Sequence, residues 1–171
     1  MNLETLIRDV PDFPRKGIIF KDITPLIGSP EGLREATDTF RRRYEKRGIE
    51  RVIAVEARGF IFGAALAYAL GAGFVPVRKP GKLPAATLRE EYALEYGTDA
   101  VEIHRDAVRP GQKVLVIDDV LATGGTLAAT CRLVRALGGE IVEVATLIEL
   151  VFLNGRAKLG DLPYYTLIRV E

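Results

Sequence analysis

Cysteine and histidine each occur once in this chain, and charge of neither sign dominates it. The single Cys131 excludes an intrachain disulfide. His104 has no cysteine and no second histidine near it, which argues against a zinc site or a His-based triad. The 24 Lys and Arg nearly balance the 23 Asp and Glu, so no broad basic field points to nucleic acid. One basic run, Arg41-Arg42-Arg43, falls on an amphipathic helix and reads as its solvated side. Internal repeats and low-complexity tracts are absent. The first residues, Glu4 and Asp9 among them, lack the apolar core of a signal peptide. Residues 60–77 form an uncharged run of the length that spans a membrane. Gly71-Ala72-Gly73 interrupts it and Pro76 lies near its end, so a buried helix over 60–70 and a buried strand over 73–77 are expected instead. A cytoplasmic protein is expected, with neither a membrane nor a nucleic-acid partner.

What is present is an ordinary globular composition, 48% hydrophobic and 27% charged, in a chain long enough for one well-filled domain. Residues 3–9 predict a short helix. Ser29-Pro30-Glu31 is a helix start, a capping hydroxyl followed by proline and an acid. Leu33, Ala36, Phe40 and Tyr44 then recur on one face, and Gly48 closes the helix. Strands are predicted over 51–55, 73–77, 113–117 and 140–148, with helices over 60–70 and 126–137 between them. Residues 163–170 would add an edge strand. Residues 78–100 read as a mobile excursion with short strand character. Alternating strands and helices with short connections predict an α/β fold, a mostly parallel central sheet flanked by helices.

The most informative stretch is 114–126, Val-Leu-Val-Ile-Asp-Asp-Val-Leu-Ala-Thr-Gly-Gly-Thr. Its branched apolar run reads as a buried parallel strand. Asp118 and Asp119 would then stand at the carboxyl end of that strand, where open α/β sheets bind ligands. Ala122, Thr123, Gly124, Gly125 and Thr126 follow. Bare backbone amides, two hydroxyls and a helix N-terminus suit a phosphate. Adjacent acids suit ribose hydroxyls or a hydrated metal ion. Together they call for a phosphorylated sugar. Plainer readings exist: a polar strand end for the acids, a simple turn for the glycines.

Residues 114–126 resemble the diphosphate-ribose signature of the type I phosphoribosyltransferases. Further stretches resemble the adenine-using members of that family: Pro11-Asp12-Phe13-Pro14, Gly17-Ile18-Ile19-Phe20-Lys21-Asp22-Ile23, Glu56-Ala57-Arg58-Gly59-Phe60, Arg78-Lys79-Pro80-Gly81-Lys82-Leu83-Pro84 and Leu94-Glu95-Tyr96-Gly97. The resemblance implies a single domain over 1–171, with an N-terminal hood (1–30) that helps bind the base and a flexible lid (78–100). It implies transfer of the phosphoribosyl group of 5-phosphoribosyl 1-diphosphate (PRPP) to adenine, giving AMP and diphosphate, usually in a homodimer. The expected cofactor is Mg²⁺, held mainly by PRPP and water rather than directly by side chains.

By the same resemblance Asp118 and Asp119 engage the ribose, and residues 122–126 hold the 5′-phosphate. Glu56, Ala57, Arg58, Arg78, Lys79 and Lys82 serve the diphosphate, with a cis peptide between Glu56 and Ala57. Arg58 can fork onto phosphate oxygens. Phe20 would stack on the purine while backbone groups of Ile19 and Lys21 read its edge and Leu150 closes the other side. Glu95 is the candidate for proton handling at the base, with Arg58 the other catalytic candidate, and Tyr96 belongs to the lid. A surface role remains open for each lid residue. Three rivals remain: a phosphoribosyltransferase for another base, a ligand-sensing regulator on the same fold, and a diphosphokinase-related protein, which needs a longer chain.

Overall fold

The computed structural model describes all residues, Met1–Glu171, in two compact units, Met1–Arg42 and Arg43–Glu171. In the first unit the helix expected over 3–9 is only a 3₁₀ turn, Leu3–Leu6, because the chain extends at once into β1 (Arg8–Pro11). Four residues are too few to offset helix nucleation. β1 pairs antiparallel with β2 (Ile19–Asp22), and the ladder carries two ion pairs, Lys21–Asp9 at 2.6 Å and Arg8–Asp22 at 3.1 Å. Phe13 and Phe20 meet edge to face at 5.2 Å. A short helix not expected from sequence, α1 (Thr24–Gly28), precedes α2 (Pro30–Tyr44). Ser29 caps α2 as expected, its Oγ accepting from the Gly32 amide at 3.1 Å.

The second unit is built on a five-stranded parallel sheet in the order β4-β3-β7-β8-β9. The strands are β3 (Arg51–Val55), β4 (Gly73–Val77), β7 (Lys113–Leu121), β8 (Glu140–Leu150) and β9 (Tyr164–Val170). α3 (Gly59–Leu70) connects β3 to β4, and α4 (Gly125–Ala136) connects β7 to β8. The uncharged run is thus a twelve-residue helix and an edge strand, and no helix is long and apolar enough to cross a membrane. Side chains alternate across the sheet. Ile53, Val55, Val114 and Val116 join the core that contains Leu127, Cys131 and Val134 of α4. Ala54 and Ile117 turn the other way, and Gly63 lets α3 approach them: a Cβ there would lie 2.5 Å from that of Ala54. Burial pushes the Cys131 thiol up to about 12, as befits an inert core residue. Residues 87–104 form a regular antiparallel hairpin, β5 (Thr87–Ala93) and β6 (Thr98–His104), longer than the short strands expected.

At the C-terminal end of α2, Arg43 and Tyr44 close on Glu143 of β8. Arg43 donates twice to this buried carboxylate, at 2.6 and 2.9 Å, and the Tyr44 hydroxyl donates at 2.6 Å. The Arg43 guanidinium also lies 4.0 Å from the centre of the Tyr165 ring. Burial alone would raise the Glu143 carboxyl, but the bonds from Arg43 and Tyr44 outweigh it and hold the group below its ordinary value of 4.5. A carboxyl depressed in this way stabilises the fold above that value and loses its contribution as pH falls through the folded value. Glu143→Gln is therefore expected to cost about 2 kcal/mol at neutral pH in urea unfolding, the scale of a charged hydrogen bond. The difference from wild type should shrink below pH 4.5. A pH-independent difference would contradict this assignment.

Candidate functional site

The chain leaves β3 toward β4 on one side and leaves β7 toward β8 on the other, so the sheet's switch point lies between β3 and β7. Ligand crevices form at the carboxyl ends of strands at such points. β3 pairs with β7 only as far as Ala54 and Ile117, whereas β8 follows β7 to Leu121. Asp118 and Asp119, expected at the carboxyl end of a strand over 113–117, are followed by two more residues of β7, which runs on to Leu121. They sit where the neighbour on one side has stopped and the neighbour on the other continues.

Asp119 is 5% exposed. Its Oδ2 lies 2.6 Å from Arg58 Nε as an ion pair, yet makes no hydrogen bond. The guanidinium charge compensates the buried carboxylate there. Asp118 Oδ1 accepts from the Asp119 amide at 2.8 Å. Desolvation first, and then the charge of Asp119, push the Asp118 carboxyl well above the ordinary aspartate range. Gly59, at the start of α3, is required here: a Cβ would stand 2.7 Å from Asp118 Oδ1. No cluster of three or more His, Cys, Asp or Glu side chains is placed to hold a metal ion. Two adjacent carboxylates fit an ion that keeps most of its shell as water and substrate oxygen.

The loop after β7 forms a pocket lined by Asp118 and by residues 120–127. Gly124 has φ +86° and precedes the first turn of α4, whose leading amides have no partner within the helix. The loop is braced from behind by a segment that sequence reasoning missed. A Cβ on Gly124 would collide with the Gly155 carbonyl, and one on Gly155 with the Ala122 carbonyl. Two backbones thus cross with no room for a methyl group. The available signal was Asn154-Gly155, a turn dipeptide, with Asn154 at φ +51°.

The Glu56–Ala57 peptide is cis, as the family resemblance implied. Glu56 does not present a free carboxylate. Its Oε1 accepts from Arg78 Nε at 3.2 Å and from the Lys79 amide at 2.7 Å, and its Oε2 accepts from Lys82 Nζ at 2.9 Å. Glu56 thus gathers the side chains of Arg78 and Lys82 and the backbone amide of Lys79. These bonds offset its desolvation and hold its carboxyl below the ordinary range. The Lys79 ammonium is turned elsewhere, onto Asp99 and the Tyr92 hydroxyl. Arg58, expected to fork onto a diphosphate, keeps Nε at Asp119 and is half-exposed.

Glu95 and Tyr96 lie at the exposed tip of the β5–β6 hairpin, closed by a bond from the Leu94 amide to the Gly97 carbonyl at 3.0 Å. The hairpin is anchored lower down. The Tyr92 ring packs where a Cβ on Gly125 would stand, and Arg132 of α4 donates to Glu90 at 3.1 Å. Tyr96 is 82% exposed. Leu150 ends β8 and is half-buried. Ile19, Phe20 and Lys21 form most of β2 in the N-terminal unit.

A parallel sheet whose switch point carries paired acids, a glycine loop before a helix and a cation cluster matches enzymes that handle phosphorylated ribose. The family model described as "Phosphoribosyl transferase domain" matches residues 28–166. The chain is 57% identical to the adenine phosphoribosyltransferase of Chloroflexus aurantiacus over 168 residues, 98% of this chain and 97% of that one. It is similar to the crystal structure of adenine phosphoribosyltransferase from Thermoanaerobacter pseudethanolicus, with TM-score 0.95, 52% identity and 98% of each chain covered. It is also similar to the Saccharomyces cerevisiae enzyme complexed with an imino-altritol bisphosphate and adenine, with TM-score 0.92, 41% identity and 96% of each chain covered. The chain belongs to the phosphoribosyltransferase family, in its adenine phosphoribosyltransferase branch.

The backbone crossing yields a direct test. Gly155→Ala places a methyl group against the Ala122 carbonyl. It is expected to destabilise the protein by about 2 kcal/mol in urea unfolding, an overpacking cost, and to weaken ribose 5-phosphate binding. Unchanged binding would show that residues 122–126 do not need this brace.

Proposed function

We propose that this protein transfers the 5-phosphoribosyl group of PRPP to adenine, releasing diphosphate and forming AMP for purine salvage. The observation that carries the reading is the pair of acids, Asp118 and the buried Asp119, beside the braced glycine loop at the sheet's switch point. Asp118 and Asp119 receive the ribose hydroxyls, and residues 122–126 hold the 5′-phosphate through amides and the Thr123 and Thr126 hydroxyls. Asp118 and Asp119 would meet the water shell of a Mg²⁺ ion carried in with PRPP, which would supply charge neutralisation for the diphosphate. Arg58, Arg78, Lys79 and Lys82 stabilise the charge that develops as the anomeric bond breaks. Ala57 contributes backbone.

For the base, we assign Phe20 to stacking and Leu150 to apolar contact. β2 belongs to a two-stranded sheet, so one of its edges carries unpaired backbone groups. Ile19 and Lys21, two residues apart, present theirs to the same edge. A carbonyl meets the adenine amino group and an amide meets N1. A 6-oxo purine reverses that pattern and leaves both groups unpaired. Residues 94–97 act as the lid that excludes water from an oxocarbenium-like centre. Glu95 manages the proton at the purine.

The reading includes a cytoplasmic location and a homodimer. α3 carries no charged side chain on any face, and helices of that kind are buried all round. Here Gly59, Phe62, Gly63, Leu66 and Ala67 are buried, but Tyr68 is 91% exposed and Phe74 of the edge strand is partly so. We assign that uncovered face to a second copy of the chain. Sedimentation should give a dimer, and Tyr68→Glu should shift it toward monomer. An unchanged distribution would move the interface elsewhere.

The test of the function offers adenine, hypoxanthine, guanine, xanthine, uracil and orotate separately with Mg²⁺ and PRPP, following nucleotide formation. AMP from adenine alone is expected. Turnover with another base would overturn the base assignment and keep the sugar-phosphate site. Tight PRPP binding without turnover would favour the regulator. Asp119→Asn should lower kcat/KM by about a hundredfold, the scale of removing one transition-state electrostatic partner. Glu95→Gln should lower kcat by about a hundredfold with little change in the KM for PRPP, as expected for loss of a general acid or base.

A further inference from the structure

Every cation in the segment 78–82 is paired with a carboxylate. Arg78 and Lys82 rest on Glu56. Lys79 alone turns toward the hairpin, where its ammonium meets Asp99 of β6 and the Tyr92 hydroxyl of β5 at 3.0 Å. Tyr92 and Asp99 are also in contact with each other, at 3.3 Å, so the three groups form a closed triangle. The other end of Tyr92 packs its ring on Gly125, the first residue of α4 and part of the phosphate loop. The Asp99 position is rigid, since its Oδ1 also accepts from the Ala100 amide at 2.8 Å. The pair is only partly screened: the Lys79 and Asp99 side chains are 39% and 35% exposed.

We propose that Asp99 is a positioning residue that competes with diphosphate for Lys79, aided by the Tyr92 hydroxyl. The inference rests on the reading of Lys79 as a diphosphate ligand. A Lys ammonium already neutralised by a fixed carboxylate contributes little to an incoming anion until that pair is exchanged. When diphosphate enters, Lys79 leaves Asp99 for a phosphate oxygen. When diphosphate departs, Asp99 takes the ammonium back and lowers the cost of release. Asp99 thereby weakens the ground-state grip on diphosphate, a property that favours turnover over retention. Because Tyr92 also rests on Gly125, movement of the hairpin that opens the Lys79 pair is tied to the phosphate loop.

The prediction runs opposite to structural damage: removing Asp99 should tighten binding. Inorganic diphosphate with Mg²⁺ would be titrated calorimetrically into the full-length wild type, Asp99→Asn, Tyr92→Phe, Lys79→Gln and the Asp99→Asn/Lys79→Gln pair. Asp99→Asn should bind about threefold more tightly, the scale of a half-exposed ion pair. Tyr92→Phe, which keeps the ring on Gly125, should tighten binding less. Lys79→Gln should weaken it, and Asp99→Asn should then have no further effect. Weaker or unchanged binding in Asp99→Asn, with Lys79→Gln still weakening, would overturn the exchange and leave the Lys79 assignment standing. Unchanged binding in Lys79→Gln would remove Lys79 from the diphosphate subsite and overturn both.

Discussion

The arrangement depends on the early end of one strand pairing. β3 stops accompanying β7 at Ile117, and the next two residues of β7 are aspartates. β8 continues alongside, so the backbone stays extended and the acids stay in place. One flank is thereby freed for the loop that carries Glu56, Ala57 and Arg58. Arg58 answers Asp119 across that gap at 2.6 Å, which joins the loops after β3 and β7 through one charge pair. The Asp119 Oδ2 meets the guanidinium as an ion pair without a hydrogen bond.

The same economy governs the cations. A cluster of basic side chains brings like charges together, and unpaired cations would repel one another. Glu56 gathers Arg78 and Lys82, and Asp99 holds Lys79. The acids let the basic groups be assembled before substrate arrives. Each pair is at least partly exposed, so exchange for another anion is cheap. The loop over residues 122–126 is treated differently. It is fixed by the steric crossing of Gly124 and Gly155, a contact without charge that ligand binding does not disturb.

Much of this was legible in the sequence because it is local. The branched run before Asp118, the cap at Ser29 and the glycines of residues 124–125 each act through near neighbours, and the elements they predicted are present. The resemblance to the adenine-using family located the other loops. What was illegible depends on distant partners. Nothing near Glu56 shows that it will collect three donors from residues 78–82. Gly155 looks like any turn glycine until the loop at 122–124 is laid across it. The length of β7 was underestimated because two acids read as a strand end, whereas a partner strand some thirty residues later carries the ladder onward. The helix expected over 3–9 failed for a local reason, being too short to nucleate before the extended segment at Arg8.

The central claim is that the end of β7 and the loop after it form one receptor for a ribose carrying a 5′-phosphate. A crystal structure of the protein grown with Mg²⁺, PRPP and an unreactive adenine analogue tests it most directly. The account predicts the 5′-phosphate against the amides of residues 123–126 and the ribose hydroxyls within hydrogen-bond distance of Asp118 and Asp119. Phosphate density away from the N-terminus of α4, or a ribose that leaves the Asp119 carboxylate uncontacted, would contradict it.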